Sequence, residues 1–459
     1  MRLRYQRLLY ISSFGIFIIL APILVLYTAG YRYDFKQQAL KKTGVLIVET
    51  VPEKATVKLD GTVRGTTPLR LTQLLPGPIE VTITKDGYHP ITQITRIESN
   101  QTTFITDKKL FPATLPILVR EASSTDSAFS VSPSGSWIVQ HIDSPTHKTV
   151  EAYHVDSETI YPIMSLPRTT IDTLQLMEWS ASGEQILIKQ KVGSFTAYVI
   201  FDTVKRETIE LLNITRLNFD QLTWHHASSD ILYGLRDTTL YSINLATKSA
   251  VPVVAGPIQQ FRSYRNGLLY TTTQDAQTMV HWRAVHNPLD DKKIALQLPG
   301  SDQYTIQVAQ QDVIALTNTK TGQTFLISDS TLRTENAGQP TVLQTEAGNI
   351  QWSPNGTTAV LWTDFELSWY NAQHHMLKLI TRFSAPIRFV SWHPNGRYII
   401  YTVGTSIHAI EALAEKTNLD TTLAQFDSIA NVWVDARGRQ MFIAGSLGKQ
   451  RGLFTIPLE

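Results

Sequence analysis

The chain of 459 residues contains no cysteine. Disulfide bonds, thiolate metal sites and cysteine catalysis are therefore excluded. The sequence also lacks a Gly-x-Ser-x-Gly nucleophile elbow and a glycine-rich phosphate-binding loop. We therefore predict no catalytic residue, no cofactor and no metal, and we expect a protein that is not an enzyme.

Basic clusters are missing from most of the chain, although its formal net charge is +2. The first 42 residues contain seven Lys or Arg and one Asp, so residues 43–459 carry a net charge of −4. Binding to nucleic acid requires clustered Lys and Arg that neutralise phosphates. A nucleic-acid partner is therefore not expected.

One long apolar segment lies near the start of the chain. From Leu8 to Tyr31 there are 24 residues without a charge. A helix of this length spans about 36 Å, which exceeds the roughly 30 Å of a membrane's hydrocarbon core. We predict a transmembrane helix at 8–31, a cytoplasmic tail at 1–7 and a linker at 32–43. The alternative is a cleavable signal peptide, whose apolar region is usually about 7–15 residues long.

Basic residues on the two sides of this segment nearly balance, so the positive-inside rule decides little about orientation. We place the N-terminus in the cytoplasm and the bulk of the chain outside it. The opposite orientation would keep the whole folded chain inside the cell for no visible purpose.

Between residues 44 and 111 the pattern changes to short strands separated by turn residues. In the strand at 79–85, Ile79, Val81 and Ile83 alternate with other residues, so one face of the strand is apolar. The turn signals between these strands are Pro52-Glu53-Lys54-Ala55, Asp60-Gly61, Gly65-x-Thr67-Pro68, Leu75-Pro76-Gly77 and Lys85-Asp86-Gly87-Tyr88. We predict a small β-sandwich.

The order of these turn signals resembles the PEGA domain, a small β module of bacterial envelope proteins. The resemblance implies a surface or wall-associated module without catalytic residues. Lys54 stands where the family has glycine, so the turn at this position does not have to adopt a positive φ.

The remaining residues, 115–459, repeat one pattern. A Trp or another large residue precedes Ser-Pro-x-Gly or a near variant, and an apolar strand follows. The repeats are centred near Ser132, Ser180, His225, Ser263, Val308, Ser353, His393 and Val434. Their mean spacing of about 43 residues is typical of a β-propeller. We predict eight blades, with seven as the alternative because two repeats are degenerate.

This part of the chain resembles WD40-like and TolB-type propeller repeats. The predicted fold class is therefore all-β with one N-terminal transmembrane helix. A propeller leaves no exposed edge only when its ring is closed. We expect residues 115–119, or the tail at 453–456, to pair with strands from the other end of the ring.

Functional residues are hard to predict in this fold, because propellers host many functions. Tryptophans at the repeat starts are expected in the core, whereas Trp282, Trp362 and Trp369 lie off that position. We predict these three as a partner-binding surface. The adjacent pairs His225-His226 and His374-His375 should point to opposite faces of a strand, so neither should hold a metal.

The sequence as a whole predicts a single-pass membrane protein of the bacterial envelope. Its extracytoplasmic propeller would recognise an envelope protein or a cell-wall component, and its oligomeric state is not determined. One alternative is a hydrolase or lyase of envelope glycans, for which acidic residues at loop tips must converge at one mouth of the ring. The candidate acids are Asp202, Asp220, Asp237, Asp364 and Glu366. The other alternative is a structural spacer or wall-attachment protein.

Overall fold

The computed structural model describes most of the chain. The described residues are 2–34, 38–122, 128–275, 277–285, 291–298, 304–308, 313–328, 342–412 and 420–459. The chain divides into two compact units, with a boundary between Thr114 and Leu115.

The first element is an α-helix, Arg2–Thr28. Its segment Tyr10–Thr28 has a mean hydropathy of 2.2 and none of it is buried, so the predicted apolar helix is present and is long enough to cross a membrane. The helix ends before the predicted residue 31, and Gly30 follows it with φ 84°. The expected linker instead contains a hairpin of the strands Tyr31–Asp34 and Ala39–Lys42.

Residues 44–109 form the predicted small β-sandwich. Its three-stranded sheet has Gly44–Val51 at the centre, between Leu69–Leu74 and Thr102–Lys109. Its four-stranded sheet has the order Thr62–Thr66, Thr56–Leu59, Gly77–Thr84 and Ile91–Ile97. The apolar faces form one core, in which Val81 and Ile83 are buried as the alternation predicts.

The turn at Lys54 differs from the expectation. Lys54 has φ 63°, so it adopts the left-handed conformation that glycine would occupy at this position. Its N–H donates to the carbonyl of Thr67 at 2.8 Å, and this bond holds the turn in place.

Beyond Leu115 the described residues form eight four-stranded antiparallel sheets, numbered here in chain order from residue 128. Sheet 1 contains Ala128–Val131, Trp137–Asp143, His147–His154 and Thr159–Pro167. Sheet 2 contains Thr173–Trp179, Gln185–Val192, Phe195–Asp202 and Glu207–Glu210. Sheet 3 contains Gln221–His225, Ser228–Arg236, Thr239–Asn244 and Ser249–Ala255. Sheet 4 contains Ile258–Tyr264, Gly267–Gln274, Gln277–Ala284 and Asp291–Leu298.

Sheets 5 to 8 follow the same plan. Sheet 5 contains Tyr304–Val308, Val313–Asn318, Thr324–Ser328 and Val342–Thr345. Sheet 6 contains Asn349–Trp352, Thr358–Trp362, Glu366–Asn371 and Met376–Arg382. Sheet 7 contains Tyr398–Val403 between Ile387–Trp392 and Ser406–Glu411, and then Asp420–Gln425. Sheet 8 has the order Ser428–Val434, Gln440–Leu447, Gln450–Pro457 and Ile117–Glu121. A short 3₁₀-helix, Arg168–Thr170, and a short α-helix, Leu211–Thr215, lie between strands.

The repeated Ser-Pro-x-Gly pattern forms the turn between the first and second strands of a sheet. In sheet 1 the N–H of Gly135 donates to the carbonyl of Ser132 at 2.8 Å, and the N–H of Trp137 donates to Ser132 Oγ at 3.0 Å. Gly135 has φ 75°, which explains why glycine ends the pattern. Gly356 and Gly396 repeat this turn in sheets 6 and 7.

Consecutive sheets from 1 to 7 are joined by shared apolar cores, and the first strands of neighbouring sheets contact one another in most pairs. The last sheet returns to the first, because Phe442 and Leu453 of sheet 8 pack with Phe129 and Ile138 of sheet 1. A closed ring of four-stranded sheets is a β-propeller. Closure uses the strand Ile117–Glu121, which pairs with Gln450–Pro457, so the expected joining of the two ends of the ring is confirmed.

The turns of the repeat also pack against those of neighbouring sheets. A Cβ added to Gly183 of sheet 2 would lie 3.0 Å from Pro133 of sheet 1. A Cβ added to Gly438 of sheet 8 would lie 2.6 Å from the His393 ring of sheet 7, and that ring contacts the Gly438 carbonyl at 3.2 Å. The glycine in the repeat therefore permits the turn and also allows close packing between sheets.

We expect Gly438→Ala to destabilise the propeller more than Gly396→Ala. Both glycines have φ near 68°, but a Cβ at Gly396 has no neighbour within 4 Å. The backbone strain of about 1–2 kcal/mol is therefore common to both variants, and only Gly438→Ala adds overpacking of about 1–3 kcal/mol. Denaturant unfolding of the full chain in detergent measures the two changes, and equal losses would contradict the packing role of Gly438.

Candidate functional site

The three tryptophans predicted as a binding surface do not form one. Trp282 is 8 % exposed and packs with Tyr264, and its indole N–H donates to the Tyr264 carbonyl at 3.3 Å. Trp369 is 7 % exposed, and half-buried Trp362 packs against the same core between sheets 6 and 7. The prediction is wrong, because the packing of neighbouring sheets places these side chains in the cores between them.

The tryptophans at the repeat starts are buried or half-buried, as expected, and several also join sheets by hydrogen bonds. The indole N–H of Trp224 in sheet 3 donates to the Glu178 carbonyl in sheet 2 at 3.2 Å. Trp392 of sheet 7 donates to the Gln351 carbonyl of sheet 6 at 3.0 Å. Each bond connects the end of a first strand to the first strand of the preceding sheet. Their repeated position therefore reflects structure.

The described residues outline two cavities along the first strands near the centre of the ring. The first cavity has a volume of about 380 Å³ and is lined by first-strand residues of sheets 2 to 6 together with adjacent turn residues. Its polar and aromatic lining includes Trp179, His225, His226, Arg262, Gln307 and Trp352. The second cavity has a volume of about 400 Å³ and lies along sheets 2 to 4. Its lining includes Lys189, Tyr198 and Asp220.

Glu178 and Arg262 line both cavities and connect three sheets. Glu178 Oε1 accepts hydrogen bonds from the Thr223 hydroxyl at 2.6 Å and from the Trp224 N–H at 2.9 Å. Arg262 Nη1 donates to Glu178 Oε2 at 3.2 Å and to Thr223 Oγ1 at 2.8 Å. The carboxylate in sheet 2 thus holds its partners in sheets 3 and 4 in fixed positions along the cavity walls.

The sequence predicts that the adjacent histidines of the first cavity point to opposite faces of a strand. The structure shows that they do not. The rings of His225 and His226 are stacked, with centroids 4.6 Å apart and an interplanar angle of 28°. The strand is irregular after Trp224 and ends at His225, so the strict alternation of a strand does not apply. His226 Nδ1 contacts Ser263 Oγ at 3.0 Å, which fixes this ring against sheet 4.

Burial lowers the pKa of both imidazoles, and for His225 the neighbouring His226 lowers it further. His225 Nδ1 accepts the Ala227 N–H at 3.1 Å, and His393 Nδ1 accepts the Asn395 N–H at 3.2 Å. The histidines at these equivalent repeat positions therefore make the same turn hydrogen bond, which is a structural role. Among the residues that the structure describes, no group of three His, Asp or Glu side chains could hold a metal ion.

The loop-tip acids mostly serve local structure. Asp202 accepts the N–H groups of Val204 and Lys205, and Glu366 forms an ion pair with Arg382 at 2.8 Å. Asp220 lines the second cavity and accepts the Asp237 N–H at 3.0 Å.

Tyr198 stands beside Asp220 in the second cavity, and its hydroxyl donates to the Asp220 carbonyl at 3.1 Å. Burial, with a smaller effect of the Asp220 charge, raises the pKa of Tyr198 to about 12. The phenol therefore remains protonated at neutral pH and acts as a donor.

Comparison with protein families identifies one part of the chain. Residues 43–110 match the family model of the PEGA domain, so the small sandwich belongs to that domain class. A search of curated proteins by sequence finds no match.

Solved structures resemble the chain in fold. A eukaryotic initiation factor matches at 11 % identity with a TM-score of 0.49, covering 73 % of this chain and 86 % of that one. Dipeptidyl peptidase 4 of Porphyromonas gingivalis matches at 12 % identity and a TM-score of 0.49, covering 71 % of this chain and 56 % of that one. An oligogalacturonate lyase in complex with manganese matches at 10 % identity and a TM-score of 0.43, covering 75 % and 98 %. At these identities the likeness concerns the fold alone.

We expect the ring to lose stability as the pH falls below about 6.5. In the unfolded chain His225 and His226 have the ordinary histidine pKa of about 6.5, so below this pH the unfolded state binds more protons than the folded state. The contribution of these two histidines to stability is therefore fully present above about pH 6.5. It decreases as the pH drops toward their lowered pKa in the folded state. Thermal unfolding of the full chain across this range measures the effect. His226→Gln should flatten the dependence of stability on pH, whereas His147→Gln, at an exposed site, should not. The same pH dependence in the wild type and in His226→Gln would show that this histidine does not cause the loss of stability.

We expect Glu178→Gln to lower the free energy of unfolding by about 1–2 kcal/mol, because the hydrogen bonds and the ion pair lose the carboxylate charge. Glu366→Gln is the matched control, since it breaks an Arg–Glu pair in which both side chains are exposed. Such surface pairs contribute about 0–1 kcal/mol. Denaturant unfolding compares the two variants. A Glu178→Gln loss no larger than that of Glu366→Gln would show that the network does not hold the sheets together.

Proposed function

We propose that this protein is a membrane-anchored, extracytoplasmic binding protein of the bacterial envelope. The N-terminal helix serves as an uncleaved anchor, with its N-terminus in the cytoplasm. The propeller recognises an envelope protein by non-covalent contacts. The apolar segment Tyr10–Thr28 and the PEGA match at 43–110 support the envelope location.

The observation that carries the binding role is the cavity of about 380 Å³ along the first strands of sheets 2 to 6. Tryptophan and arginine dominate the binding energy of many protein interfaces. Here Trp179, Trp352 and Arg262 line one concave site. Arg262 is half-exposed, so part of its guanidinium remains open to a partner while Glu178 orients it. A site on first strands that neighbouring sheets hold in place needs little ordering when it binds.

A glycan hydrolase or lyase is the second candidate. Its support is that Glu178 lines both cavities, with His225 and His226 in one and Asp220 in the other. Acid and base groups in a shared cleft are the usual requirement for such chemistry. The hydrogen bonds that Glu178 already accepts from Thr223 and Trp224 favour the binding role.

Capture of envelope proteins by the full chain tests the proposal. Thr305 lies on the cavity wall and is exposed, so Thr305→Arg places a long side chain in the site without changing a core. Thr208→Arg, on the exposed last strand of sheet 2, is the matched control. After crosslinking in envelope extract, we expect discrete proteins to be captured by the wild type and by Thr208→Arg, and capture to fall about tenfold with Thr305→Arg.

Equal capture by all three proteins, or no capture, would contradict protein recognition at this cavity. Release of products from envelope glycans by the wild type, lost in Glu178→Gln, would support the enzyme candidate instead.

A further inference from the structure

The hairpin that follows the apolar helix is tied closely to the helix end. Thr43, just after the hairpin, donates its N–H and its hydroxyl to the Gly30 carbonyl, at 2.9 and 2.8 Å. The Arg32 guanidinium lies 3.4 Å from the centroid of the Tyr27 ring, and its Nη1 donates to the Tyr27 carbonyl at 3.1 Å. The hairpin therefore stays next to the last turn of the helix.

The two faces of this hairpin differ in character. Tyr33 pairs with Leu40, and Tyr31 pairs with Lys42, so these four side chains share one face. Tyr33 is 47 % exposed and Leu40 is 54 % exposed. The opposite face carries Arg32 and the ion pair between Lys41 and Asp34, whose atoms are 2.9 Å apart. The sequence predicts a linker at residues 32–43, yet the segment forms a small amphipathic β-hairpin.

We propose that the face of Tyr31, Tyr33, Leu40 and Lys42 lies on the membrane interface beside the helix exit. Its partner is the headgroup and upper acyl region of the bilayer that the helix crosses. This inference rests on the anchor role proposed above.

Three observations carry the choice of lipid as partner. The apolar surface of the helix is unburied up to Thr28, so the bilayer boundary falls next to the hairpin. Tyrosine and lysine beside an exposed leucine form the combination that interfacial elements use. The described hairpin residues carry three basic groups, Arg32, Lys41 and Lys42, against Asp34, so their net charge suits anionic headgroups.

The absence of native cysteine allows a direct test. Single-cysteine variants of the full chain are labelled with an environment-sensitive nitrobenzoxadiazole dye and reconstituted in vesicles. Leu40→Cys and Tyr33→Cys place the dye on the proposed face. Ala39→Cys is the matched control, since it is exposed and its side chain points to the other face. Phe17→Cys reports on the helix itself.

Two sets of vesicles, each of phosphatidylcholine with or without phosphatidylglycerol, carry a lipid spin label either near the headgroups or deep in the acyl chains. The headgroup label reports on the hairpin positions, and the deep label reports on Phe17→Cys, which lies near the middle of the segment Tyr10–Thr28. We expect spin-label quenching at Leu40→Cys and Tyr33→Cys to exceed that at Ala39→Cys by about twofold or more. Phosphatidylglycerol should increase quenching on the proposed face.

Quenching at Phe17→Cys but at neither position of the proposed face would overturn the proposal while leaving the anchor intact. Equal quenching on both faces would also overturn it. Dye shielding that depends on protein concentration, without quenching by lipid, would assign the face to a second copy of the chain. An unquenched Phe17→Cys would overturn the anchor and the interfacial face together.

Discussion

The structure depends on the burial of apolar sheet faces that no single sheet can bury by itself. Consecutive sheets from 1 to 7 share apolar cores, and sheet 8 shares one with sheet 1, so an open row of sheets would leave apolar faces in water. The ring avoids this because Ile117–Glu121 completes sheet 8 beside Gln450–Pro457. The strand that opens the propeller and the strands that end the chain are thus held in one sheet. Closure is therefore the constraint that buries the apolar faces at the two ends of the row of sheets.

The candidate site is built from the contacts that maintain the ring. Glu178 joins Thr223 and Arg262 across three sheets, and the same two charged groups line both cavities. The cavity walls are therefore mainly first strands held by neighbouring sheets. A change at Glu178 alters the packing of three sheets and, under the proposed binding role, alters the site at the same time.

Local features of this fold could be predicted from the sequence, and non-local ones could not. The turn at Ser132–Gly135 follows from a glycine that must adopt a positive φ, a requirement visible in four residues. The burial of Trp282 depends on the register of its strand and on the next sheet, which the sequence does not display. Glu178 and Arg262 are 84 residues apart and meet only because sheets 2, 3 and 4 pack side by side. Lys54 adopts a glycine-like conformation because the surrounding turn imposes it.

Hydrogen exchange of the full chain in detergent tests ring closure most directly. A closed ring predicts that the amides of Ile117–Glu121 exchange together with those of Gln450–Pro457, at the slow rate of global unfolding. Rapid and independent exchange of Ile117–Glu121, while the other sheets remain protected, would contradict the account.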